Sequence, residues 1–290
     1  MQKVAVVTDS VACLTREIAG NYGIGIIPIN FLAGGKMYRD WVDITPTEAY
    51  KLFLDDPDSF NTSAPSPREC FEAFLAAAKK ASNIFCVTVS RKLSHVYDSA
   101  VDAVELARTE MPGVKIEVLD SAQATSSEGM IALAAARAAA EGKDLPEVKQ
   151  AAEKVMEKVN AIFLLDTIKH VYRSGRIPKI ASQMGSRLNI KPLLTIAGTV
   201  HFVGMAHSRK KGIERMLQTM KNKLDGKPAY VAVTHAYALE EAKALKERII
   251  QEFNCKELWI SEFSPVMGYA CGTGTIGVSF YPDDTADPGE

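Results

Sequence analysis

Four short polar segments hold the residues that could do chemistry: Thr8-Asp9-Ser10, Thr62-Ser63-Ala64-Pro65-Ser66-Pro67, Ser90-Arg91-Lys92-Leu93-Ser94-His95 and Gly272-Thr273-Gly274. Each follows or interrupts an apolar run, where a loop faces a cleft. Hydroxyls can hold a carboxylate or another anion, and Ser94 stands where a helix is about to begin, so helix N–H groups could join it. Taken singly, the same residues are ordinary turn and cap residues. A serine hydrolase is the rival chemistry, with Ser94 as nucleophile and His95 or another histidine as base. Successive helical residues point about 100° apart, which places Ser94 and His95 poorly for that role, and there is no G-x-S-x-G elbow. Metal chemistry is not expected. The five histidines have no H-x-x-x-H or H-E-x-x-H spacing, and the five cysteines (Cys13, Cys70, Cys86, Cys255, Cys271) form no C-x-x-C pair and read as reduced thiols. No phosphate-binding glycine loop is present either, so neither a nucleotide nor any other cofactor is expected.

The elements that must position these segments alternate between strand and helix. Residues 3–7 form a β-rich run that ends in Thr8-Asp9-Ser10, and residues 14–22 follow with helical character. Thr45-Pro46-Thr47-Glu48 and Ser66-Pro67-Arg68-Glu69 each set a hydroxyl at the N-cap, proline at the first helical position and glutamate three residues after the cap. Residues 84–89 and 115–119 read as buried strands around a helix with Val96, Ala100, Val101 and Val104 on one face. This pattern predicts a parallel sheet with functional loops at the carboxyl ends of its strands. A helix opens at Leu145-Pro146 and a strand follows at 161–165. Residues 191–196 and 200–206 predict a hairpin around Ala197-Gly198-Thr199, hence an antiparallel component. Helices at 213–224 and 239–253 flank a strand at 230–234, and the last strands fall at 257–260 and 276–281. The expected fold is α/β in two domains: an N-terminal parallel-sheet α/β domain over residues 1–158 and a C-terminal α/β domain with a mixed sheet over 159–290. The tail, 282–290, is expected to be mobile.

Composition narrows the function classes. The 290 residues are 47% hydrophobic and 24% charged, which supplies a core and excludes disorder. Thirty-four basic residues against 35 acidic ones leave a net charge of −1, so nucleic acid is not expected as a partner. No basic recognition helix points to a ligand-sensing regulator. The start runs from one lysine into a strand without a cleavage site, which is not a signal peptide. The most apolar helical stretch, 130–140, carries Arg137 and falls short of the roughly 20 residues that span a bilayer. A cytoplasmic protein is expected.

Taken together and in order, the polar segments resemble the DegV family, the fatty-acid-binding proteins that work with bacterial fatty acid kinases. The family's TDS is Thr8-Asp9-Ser10, its TSxPS is Thr62-Ser63-Ala64-Pro65-Ser66, and its S-x-K-L-S is Ser90-Arg91-Lys92-Leu93-Ser94, followed by Tyr97, Ser99 and Ala100. Asp120-Ser121, Gly175-Arg176-Ile177-Pro178-Lys179, Lys191-Pro192 and Arg209-Lys210-Lys211 extend the resemblance over nearly the whole chain. The chain departs from it near the C-terminus. Where family members read G-P-V-x-G-x-H-x-G-P-G, residues 264–274 put Ala270 at the histidine and Thr273 at the proline.

The resemblance implies a long-chain fatty acid in an apolar tunnel, its carboxylate held by Thr62 and Ser94 with Ser63 and the Gly272-Thr273-Gly274 loop nearby. His95, which stands where the family commonly has glycine, is a candidate to take over part of the missing histidine's role. The resemblance further implies a carrier with no catalytic residue of its own, a monomer that presents the acid to a separate ATP-dependent kinase for acyl phosphate formation. Arg173, Arg176 and Arg209, with Lys210 and Lys211, are candidates for a docking face toward that kinase or, transiently, an anionic membrane surface. Hydroxyls orient a carboxylate and neutralise it less than an arginine fork would, which leaves the oxygen nucleophilic. At about 0.8 kcal/mol per buried methylene, a tail of about 14 methylenes contributes on the order of 11 kcal/mol before ordering costs.

Overall fold

The computed structural model describes residues 2–167, 174–176 and 190–284. Four parallel strands, β1 (Val4–Asp9), β2 (Gly25–Ile27), β6 (Asn83–Thr88) and β7 (Lys115–Asp120), form the first sheet in the order β2-β1-β6-β7. Its helices are α1 (Arg16–Tyr22), α3 (Pro67–Ala78), α4 (Val96–Glu110), α5 (Ser126–Ala140) and α6 (Leu145–Met156). The second sheet comprises β8 (Asn160–Leu164), β9 (Lys191–Ala197), β10 (Thr199–Ala206), β11 (Ala229–His235), β12 (Cys255–Glu262) and β13 (Ile276–Pro282). Its order is β10-β9-β8-β13-β11-β12, antiparallel except for the β11/β12 pair, so it is the mixed sheet expected, with the expected β9/β10 hairpin. Helices α7 (Arg209–Leu224), α8 (Leu239–Glu252) and the short α9 (Pro265–Cys271) accompany it.

Sequence reasoning missed a third sheet. Strands β3 (Asn30–Ala33), β4 (Lys36–Arg39) and β5 (Asn61–Ser63) pair antiparallel in the order β4-β3-β5, next to α2 (Pro46–Asp55). Each strand has three or four residues, too few to show a period. The sheet is held by an aromatic cluster in which Phe60 stacks on Phe31 at 4.9 Å and on Tyr269 of α9 at 5.7 Å.

Helix α5 is buried along nearly its whole length, and its alanines pack against β1, β6 and α6 on one side and reach β11 and β13 on the other. Near its end, Arg137 is flanked by the rings of Tyr22 and Tyr230 at 5.6 and 5.4 Å and pairs with Glu257 of β12 at 2.5 Å. One side chain thereby ties α5 and α1 to the second sheet. Among the described residues no helix is long and apolar enough to cross a membrane. Of the tail, Pro282 closes β13, while 285–290 lie outside the described residues.

Candidate functional site

The chain steps from β1 outward to β2 and then back to β6 on the other side of β1, so the first sheet switches direction between β1 and β6, the place where open α/β sheets hold ligands. Asp9 ends β1 there. One carboxylate oxygen accepts a hydrogen bond from Val11 N at 2.9 Å and the other from Val89 N at 2.8 Å, which clamps the loops after β1 and β6 together. The next residue, Ser10, accepts from Ile29 N at 3.2 Å through its hydroxyl. Val11, Ile29 and Val89 are one wall of a cavity. The acidic and hydroxyl residues of the Thr8-Asp9-Ser10 motif are thus wall builders, set behind the surface the ligand would see.

The facing wall comes from the second sheet and α9, with Phe163, Leu194, Ile196, Phe263 and Met267 prominent. The void measures about 900 Å³ with its open mouth. Its lining is mostly apolar. Such a space suits a slender hydrocarbon chain and excludes bulky polar ligands.

Thr62 and Ser63 reach this cavity from β5, and Ser94 reaches it from the loop after β6. That loop is stitched to both sheets. Ser90 N donates to Gln123 O at 2.7 Å, Ser90 Oγ donates to Gly198 O at 2.5 Å, and Gly198 N donates to Ala122 O at 2.7 Å. Gly198, the tip of the β9/β10 hairpin, has φ +71°, which glycine adopts without penalty. Helix α4 takes His95, not Ser94, at its N-cap, so the Ser94 hydroxyl is not spent on capping. The hydroxyls of Thr62, Ser63 and Ser94 make no side-chain hydrogen bond within the described residues. Arg176 joins them in the lining, its guanidinium donating to Leu93 O at 3.3 Å and Ser174 O at 2.7 Å.

The other expected residues stand elsewhere. The His95 side chain is 86% exposed and its Nδ1 lies 3.3 Å from Asp98 Oδ2; it is not part of the cavity lining. Both residues precede the first helical residue, Val96, and of the two only Ser94 is in the lining. For the fatty acid binding that the resemblance implies, we expect His95→Ala to leave affinity within about 0.3 kcal/mol of the wild type at pH 6 and pH 8 by calorimetry; a loss of about 1 kcal/mol at either pH would give the ring a head-group role. Gly272, Thr273 and Gly274 also lie outside the lining. Gly272 closes α9 and Gly274 O accepts from Arg209 at 2.5 Å. Arg209 itself is 19% exposed and is tied to Glu241, so it lines a separate recess with Asp166 and Tyr237. Arg173 lies outside the described residues.

Two further lining residues bear on the site. Ala270 faces the cavity, which puts a methyl group where the family motif has a ring. Thr125, just before α5, lines it as well. Behind the wall sits a group of buried acids. Burial pushes the Asp9 carboxyl up to about 6, and burial with the neighbouring Asp9 holds Glu128 well above the usual carboxylate range. Asp40, also raised to about 6 by burial, accepts from Ser264 Oγ at 2.6 Å at the start of α9. Among the described residues no cluster of His, Cys, Asp and Glu is arranged to hold a metal ion.

The chain is 31% identical over 280 residues to a DegV domain-containing protein of Clostridium perfringens, covering 96% of this chain and 98% of that one. Among solved structures, a fatty-acid-binding DegV family protein from Thermus thermophilus superposes with a TM-score of 0.87 at 29% identity, covering 97% of this chain and all of the other. The fatty-acid-binding DegV protein of Bacillus subtilis shares the fold at a TM-score of 0.87 and 24% identity, with 98% and 100% covered. The DegV family model matches residues 3–283, the span that carries both sheets, the clamp at Asp9 and the hydroxyls at the cavity, and the chain belongs to the DegV family.

Proposed function

We propose that this protein binds one long-chain fatty acid in the cavity and presents its carboxylate to a separate ATP-dependent fatty acid kinase, which forms the acyl phosphate. The observation that carries the reading is a mostly apolar cavity with the unspent hydroxyls of Thr62, Ser63 and Ser94 in its lining. The Thermus relative, which binds fatty acid, supports the ligand class. In this reading residues 1–158 and 159–290 are two units meeting at the cavity, and the protein acts as a cytoplasmic monomer that meets the membrane surface only to load or unload. Arg176 adds a cation beside the hydroxyls, where it steers the head group, and with Arg173 it offers the kinase a basic contact. The protein is a carrier. A hydrolase is not favoured, because no histidine of the described residues is hydrogen-bonded to Ser94.

Native mass spectrometry of protein purified without added lipid is expected to show a retained acid of about 14 to 18 carbons, in line with about 0.8 kcal/mol gained per buried methylene. Ser94→Ala and Thr62→Ala should each weaken binding by about 1 kcal/mol and reduce kinase-dependent acyl phosphate formation further, since they position the head group and leave the tail untouched. Apo protein that takes up no fatty acid in this assay would end the proposal, as would ester turnover abolished by Ser94→Ala.

A further inference from the structure

Thr125 is anomalous in three independent ways. It is a β-branched residue at φ +63°, ψ −153°, a region that L residues avoid and that persists only where the surroundings enforce it. It is fully buried, and its Oγ1 has no hydrogen-bond partner. It lines the acyl cavity.

The local sequence makes the anomaly sharper. Thr125-Ser126-Ser127-Glu128 has the spacing of a capping box, the arrangement that closes at Thr45/Glu48, Ser66/Glu69 and Asp144/Glu147 in this same chain. At α5 the box is open. Thr125 occupies the N-cap position without a side-chain cap, and Glu128 accepts from Thr8 Oγ1 at 3.3 Å instead. The two serines between them are both paired, Ser126 Oγ with Ser279 Oγ and Ser127 Oγ with Ala124 O, each at 2.7 Å. The unusual backbone conformation therefore withholds one hydroxyl from its helix, on a residue that lines a mostly apolar cavity. A plain hydrocarbon chain seals that hydroxyl in without a partner, whereas a chain carrying an oxygen at the same depth pairs with it.

Burial favours a neutral partner over an anion. Thr125 is as fully buried as Glu128 in the first turn of the same helix, whose carboxyl burial already holds well above the usual carboxylate range. An ionised group brought to Thr125 would meet the same desolvation cost.

We infer that the cavity is built for a fatty acid bearing a hydroxyl or keto group along its chain, with Thr125 Oγ1 as the partner of that oxygen. This inference rests on the fatty-acid-binding reading and specifies its ligand.

The test is competition, by native mass spectrometry on the full chain, between octadecanoic acid and a panel of monohydroxyoctadecanoic acids with the hydroxyl at successive positions. Wild type is expected to prefer at least one isomer over the plain acid by about 3- to 10-fold, the size of one net hydrogen bond. Thr125→Val keeps the shape and removes the hydroxyl, and should abolish that preference. Thr125→Ala serves as a second variant if the first does not fold. Wild type favouring the plain acid over every isomer would show a hydroxyl satisfied by water and would overturn the inference while fatty acid binding stands. So would a preference that survives in both variants. Binding of no acid at all would remove the functional reading together with it.

Discussion

Gly129→Ala is expected to destabilise the protein by about 2–3 kcal/mol, even though alanine is the better helix former by up to about 1 kcal/mol. Gly129 lies in the first turns of α5, and a Cβ there would stand 2.4 Å from the carbonyl oxygen of Ala12 and 3.1 Å from a Leu14 methyl. A backbone oxygen cannot swing aside as a side-chain tip can. Either α5 backs away from β1, opening the most buried helix of the molecule, or the turn after Thr8-Asp9-Ser10 shifts. That turn carries Val11, a wall residue of the cavity, so the fatty acid binding proposed above should weaken together with stability. For a chain of this size the thermal midpoint should drop by about 3–5 °C, read by circular dichroism. A midpoint that rises would mean that helix propensity outweighs the close approach and that the packing of α5 on the turn is looser than described.

The same stretch shows what a sequence can and cannot disclose. The boxes at Thr45 and Ser66 are legible because capping is a local contest between a side chain and its own helix. Thr125 and Glu128 show the same letters, yet they lose that contest to Thr8 and to the cavity, which stand more than 100 residues away in sequence. The strands with a clear apolar run were legible to within one or two residues, as at Asn83–Thr88 and Ile276–Pro282. Strands β3, β4 and β5 were not, since three residues with one buried face carry too little pattern. Of the polar residues in the cavity lining, Thr62, Ser63 and Ser94 were named through the family resemblance, whereas Thr125 was not. The apolar wall could not be found, because Phe163, Leu194 and Ile196 look alike in sequence whether their strand faces a packed core or an empty channel. Arg176 was named as a docking candidate, but its place in the cavity lining depends on Leu93 and Ser174, which only the fold brings to it.

The protein should become more stable as the pH falls from 7 to about 5, the reverse of what acid does to most surface-charged proteins. Asp9 and Asp40 are carboxyls that burial raises from 3.8 to about 6. Between those values the folded protein holds both protons while the unfolded chain has released them, so stability rises as pH falls through the window and is lost as pH climbs above it. Each shift corresponds to about 3 kcal/mol. His235 works against them. Burial lowers its imidazole from 6.5 to about 4, so the unfolded chain takes up a proton that the folded one refuses, and stability falls as pH drops through that range. Two protons retained against one refused leaves a net gain of about 1.4 kcal/mol per pH unit of acidification between about 6 and 4.5. Glu128, raised by the same burial, adds in the same direction. Exposed carboxylates held below their ordinary values by partners, such as Asp43 beside Arg39, start to lose stabilising charge only below about pH 4. Thermal unfolding at pH 7.5, 6 and 5 should therefore show its highest midpoint at pH 5. Asp40→Asn supplies the internal control: it removes one of the two retained protons and should take about 1.4 kcal/mol per unit off the slope. A midpoint that declines steadily from pH 7.5 to 5 in the wild type would mean that Asp9 and Asp40 are ionised in the fold, with water or a counter-charge reaching behind the cavity wall.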